Sequence, residues 1–118
     1  MPEFNNPDKP ISEQFRVVAK QFNELDKAAK MLEESKTATL SQMIQNVIKE
    51  AEGMAHNQAE RQVKASKEWQ EYIHKMVEAR AEANLKKIQL DYIRMQFTEW
   101  QMNMASARDE RKMMRTHA

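Results

Sequence analysis

KEWQEYIHKMVEARAEANLKKIQLDYIRMQFTEWQMNMASARDERKMMRT, Lys67–Thr116, contains neither Gly nor Pro. Nothing in it breaks a helix, and one continuous helix there would be about 75 Å long at 1.5 Å per residue. Its apolar residues recur in two columns with a seven-residue step. One column is Tyr72, Ala79, Lys86, Ile93, Trp100, Ala107 and Met114. The other, four residues on, is Met76, Ala83, Leu90, Phe97, Met104 and Arg111. Together they make a mostly apolar seam of coiled-coil type. Tyr72, Met76, Leu90, Ile93, Phe97, Trp100 and Met104 are therefore the expected packing and oligomerisation face. Two more columns, Ala81, Ile88, Met95, Met102 and Leu85, Tyr92, Met113, are read as widening this face. An arc that broad calls for more than one neighbour.

The first half supplies one such neighbour. Phe15, Val18, Phe22, Leu25, Ala29 and Leu32 alternate in steps of three and four, the stripe of an amphipathic helix starting near Ser12. A second stripe, Leu40, Ile44, Val47, Ala51 and Met54, is out of phase with the first, which puts a joint at residues 35–39. Thr39 with Gln42 and Asn57 with Glu60 have the spacing of capping boxes. Gly53 is the only glycine and a natural helix stop. The expected organisation is an N-terminal arm over 1–11 and one helical domain over 12–118, with helices at about 12–34, 39–52 and 57–116. The fold class is all-α: a long helical hairpin or bundle with one long C-terminal helix. The interrupted first half is too short to cover the whole arc, so a dimer or larger assembly is expected.

Composition narrows the function. There is no Cys among the 118 residues, which excludes a disulfide scaffold and a thiolate metal site. No apolar run reaches the roughly 20 residues of a membrane span, and MPEFNNPDKP lacks the basic and apolar regions of a signal peptide. The expectation is a cytoplasmic protein without membrane contact. Formal net charge is +1, the first half being mildly acidic and the second mildly basic.

Candidate chemistry is sparse. Arg80, Lys87, Arg94, Arg108 and Arg115 share one column, broken only by Gln101. Such a stripe suits phosphates or an acidic protein surface. The blander reading is a solvated flank with local ion pairs, because Asp91 lies four residues after Lys87 and three before Arg94. Tyr92, Phe97 and Trp100 around Arg94 suit base stacking, but Phe97 and Trp100 also belong to the seam. Most of the ten Met lie from Met76 onward, where they serve either as adaptable docking surface or as core filler. Glu71-x-x-His74, with Glu78, has half the ligand pattern of a di-iron bundle and lacks the remainder. No nucleophile–base arrangement, phosphate loop or zinc motif is present, so no enzyme, metal or cofactor is expected.

Ser66, Glu68 and Trp69, Ala79-Arg80 with Ala83-Asn84, Asp91-Tyr92-Ile93-Arg94-Met95, Glu99-Trp100-Gln101, and Arg108 and Arg111 resemble a type of small helical protein of bacteriophage and prophage genomes. The resemblance implies an accessory protein acting on replication, recombination or host defence, inside a bacterial host cell. The leading expectation is a non-enzymatic protein that binds another protein as an inhibitor or adaptor. The alternative is a recombination or replication accessory that contacts nucleic acid through the basic stripe.

Overall fold

The computed structural model describes residues 10–117, which form four helices: α1 Ile11–Glu34, α2 Lys36–Glu50, α3 His56–Lys64 and α4 Lys67–His117. There is no strand among the described residues. Most of the expected arm lies outside them, and Ile11 already belongs to α1. The chain forms two compact units, one of residues Asn23–Asn84, the other of the segments up to Phe22 and from Leu85.

Helix boundaries follow local chemistry, with three differences from expectation. The joint at 35–39 contracts to Ser35, whose N–H still bonds the Met31 carbonyl at 3.0 Å while its own carbonyl accepts from Thr39 at 2.9 Å. Thr39 is therefore inside α2 rather than its cap. Asn57 likewise sits within the first turn of α3, which begins at His56. The helix expected over 57–116 is interrupted at Ala65–Ser66. There the Ser66 hydroxyl donates to the Val63 carbonyl at 2.6 Å and accepts the Trp69 N–H at 3.3 Å. This is an N-cap, and the Gln70 side chain reinforces the break by donating to the Lys64 carbonyl at 2.9 Å. Gly53 does stop a helix: its φ of 84° lies in the left-handed region that a β-carbon disfavours, and it turns the chain between α2 and α3.

In the Asn23–Asn84 unit, the core is Ile44 of α2, Ala59 and Val63 of α3 and Trp69 of α4. Leu40, Met43, Val47, Tyr72 and Ile73 pack around it. Trp69 and Tyr72 stack with ring centroids 5.5 Å apart. The Tyr72 hydroxyl donates to the Leu32 carbonyl, tying α4 to α1. Ala29 and Ala83 are completely buried, and their small side chains permit close approach of neighbouring helices.

The other unit is simpler. Val18 of α1 packs with Leu90 and Ile93 of α4, flanked by Ile11, Phe15 and Ala19. Lys86 Nζ donates to Gln21 Oε1 at 3.0 Å. Within this unit the pairs Phe15–Arg94 and Gln21–Lys86 run in opposite directions along the chain, so the two helices are antiparallel. The α1 stripe read from sequence is the buried one: Val18 and Ala29 are buried, and Phe15, Phe22, Leu25 and Leu32 half-buried.

Candidate interaction surface

The seam of α4 divides into a covered and an uncovered part. Leu90 and Ile93 are buried and Tyr72 and Met76 half-buried, as the seven-residue step requires. Phe97, Trp100 and Met104 are exposed, against the expectation of a packed seam throughout. The cause among the described residues is where α1 begins. Phe97 lies beside Ile11, where α1 begins, so α4 continues without a neighbour among the described residues. Phe97 and Trp100 stack on each other at 6.0 Å, leaving Phe97 41% and Trp100 52% exposed.

The two columns read as widening the seam do not adjoin it. Each residue turns the helix by about 100°, so Ile88, Met95 and Met102 with Leu85 and Tyr92 fall roughly half a turn away. They form a second stripe, 85, 88, 92, 95, 102, on the side of α4 facing away from α1. All five are exposed, Ile88 to 65% and Met95 to 61%. α4 is thus apolar on two opposite sides, one covered by α1 as far as Ile93 and one exposed.

The basic stripe is dispersed rather than assembled. Arg80 turns inward: Nε and Nη2 bond the Glu33 carboxylate at 2.8 Å each and Nη1 bonds Asp26 at 2.7 Å. The Arg80 bonds hold the Asp26 and Glu33 carboxyls below their ordinary pKa values, with Lys30 helping at Asp26. The same bonds raise Arg80 further above its usual range. Arg80 is therefore a structural clamp, which the sequence reading missed. The signal was available in Asp26 and Glu33, seven residues apart on the flank of the α1 stripe. Arg94 lies over the Phe15 ring, 5.4 Å from its centroid, and 3.7 Å from Asp91. Lys87, Arg108 and Arg115 are exposed and form no ion pair among the described residues.

The metal-like triplet does not converge. His74 pairs with Glu78 at 3.0 Å on an exposed surface, and Glu71 is 3.9 Å from Lys67. No cluster of three His, Asp or Glu able to hold a metal occurs among the described residues. No helix there is long and apolar enough to cross a membrane. Comparisons with protein-family models, curated proteins and solved structures find no match.

Proposed function

We propose that this chain is a non-enzymatic protein-binding protein, an inhibitor or adaptor of the accessory kind implied by its resemblance to phage and prophage helical proteins. The observation that supports this reading is the exposed apolar stripe Leu85, Ile88, Met95 and Met102 on α4, with Tyr92 partly exposed beside it. Isolated exposed apolar residues are ordinary on any protein, but a row at three- and four-residue spacing, here Leu85 to Met95 with Met102 two turns on past Glu99, is the pattern by which a helix docks into an apolar groove. The two Met in the row adapt to an irregular surface, and the unbranched chain makes them tolerant of shape. The partner is accordingly a protein with an apolar groove or an amphipathic helix of its own.

The alternative, nucleic-acid binding, loses ground to the Arg80 clamp. Phosphate tracking needs neighbouring cations along one line, and here the first of the five is neutralised by two carboxylates while Arg94 is packed on Phe15. The test uses the full chain immobilised in a bacterial lysate, beside a double variant, Ile88→Glu with Met95→Glu. Both positions are exposed, so the helix content of the variant should be unchanged. Loss of the captured partner in the variant, with capture by the parent resistant to salt, supports protein docking by this stripe. Capture that persists in the variant, or that falls steeply with salt, overturns it.

A further inference from the structure

The seam beyond Phe97 is a separate surface from the exposed stripe, and it has internal complementarity of its own. It comprises Phe97, Trp100, Met104, Ala107, Arg111 and Met114, in unbroken phase with the seam that α1 covers. All but Ala107, which is half-buried, are exposed. The surface is therefore the continuation of an interface already formed within the chain, past the level of Ile11 where α1 begins.

We infer that this segment pairs with the same segment of a second copy, antiparallel, about a two-fold axis between Met104 and Ala107. The inference rests on the reading of α4 as a helix that presents apolar surface to proteins, and adds the occupant of one part of that surface. Arg111 sets the orientation. It is the single charge in this part of the seam. In a parallel, in-register pair it would face its own copy within an apolar layer, and like charges so placed repel. In the antiparallel pair it faces the partner's Trp100, the best aromatic acceptor for a cation. The other layers then match by size: Met104 against the partner's Ala107, and Phe97 against the partner's Met114.

A second feature converges on the same arrangement. Where α1 begins, Ile11, Phe15, Ile93 and Phe97 wall an apolar groove of about 400 Å³. The antiparallel register brings the partner's Met114 to the level of Phe97, at the mouth of this groove. Met is the side chain best able to fill such a gap. The partner's tail then continues the cover of α4 from the point where α1 ends. Side chains of this size give a contact at the low end of specific interfaces, about 1,200 Å² in total. Pairing is therefore expected at about tens of micromolar chain rather than at nanomolar concentrations.

The experiment combines mass with cross-linking, since the chain has no Cys of its own. Light scattering on the full chain should give twice the 13.9 kDa chain mass. Met104→Glu should return it to a single chain, while Ile88→Glu with Met95→Glu should not. Under mild oxidation, a mixture of Met104→Cys and Ala107→Cys chains should cross-link to each other several-fold more than either does to itself. Preferential self-cross-linking of Met104→Cys would show a parallel pair and overturn the inference. A single-chain mass for the parent also overturns it, as does dissociation by the Ile88 and Met95 changes instead of Met104→Glu. Partner capture lost on changing Ile88 and Met95, in a chain that never dimerises, would leave the docking proposal standing while this one fails.

Discussion

Arg80 grips Glu33 with two parallel bonds, Nε to Oε2 and Nη2 to Oε1, both 2.8 Å, across 47 residues of sequence. A third bond, from Nη1 to Asp26 at 2.7 Å, adds a second carboxylate one heptad earlier on α1. The planar guanidinium matches this geometry where an ammonium would not. The contact aligns α1 and α4 within the Asn23–Asn84 unit and removes Arg80 from any external role.

Changing Arg80→Gln should therefore lower the thermal midpoint by several degrees, whereas Lys87→Gln in the same column should leave it unchanged. Arg80→Lys should recover only part of the loss, because it keeps the charge and loses the fork. Thermal unfolding by circular dichroism reads all three. Equal midpoints for the parent and Arg80→Gln would show that the clamp contributes nothing.

The same carboxylates predict an acid limb. Asp26 and Glu33 are held below their ordinary values by the Arg80 bonds, so the folded form binds protons less readily than the unfolded chain. Their contribution is present above the ordinary carboxylate range and disappears as pH falls through the depressed values. Stability of the parent should drop below about pH 4.5. In Arg80→Gln that drop should be shallower, since the shifts lose their largest cause. Urea midpoints measured from pH 7 to pH 3 check the difference in slope.

The boundary of the covered seam gives a paired test. Leu90 is 6% exposed and Phe97 41%. Leu90→Ala should cost about 2–5 kcal/mol, the range for a buried Leu. Phe97→Ala should cost well under the ~3–5 kcal/mol of a core Phe in dilute chain, because much of its surface is already in water. Its cost should rise with chain concentration if a second copy covers it. Urea unfolding at low and high micromolar concentration measures both. A Phe97→Ala cost equal to that of Leu90→Ala, independent of concentration, would contradict the observed exposure.

The remaining members of the basic stripe should prove dispensable for folding. A triple change, Lys87, Arg108 and Arg115 each to Gln, should alter stability by no more than about 0.5 kcal/mol, as for solvated surface charges. The parent should show no measurable binding to single- or double-stranded DNA at low salt, since a net charge of +1 gives a shallow potential. Tight binding with a steep salt slope, lost in the triple variant, would reverse that expectation and restore the nucleic-acid reading.

Periodicity alone determined the helical stripes and the faces that α1 and α4 cover, but not the break at Ala65–Ser66 that separates α3 from α4. The steps from Phe15 to Leu32 and the columns through Tyr72, Met76, Leu90 and Ile93 depend only on 3.6 residues per turn, a local property of the backbone. Gly53 as a stop is equally local, because a left-handed φ is a single-residue requirement. Three matters needed the tertiary structure. The seven-residue spacing of Asp26 and Glu33 puts both carboxylates on one flank of α1, but only the pairing of distant segments decided that Arg80 is the cation that meets them. The register of α1 against α4 set where cover ends, so Phe97, Trp100 and Met104 continue a buried seam in phase yet stand exposed. Neighbour placement finally separated the two apolar sides of α4: Leu90 and Ile88 are two residues apart and equally apolar, and only the position of α1 makes the first core and the second surface.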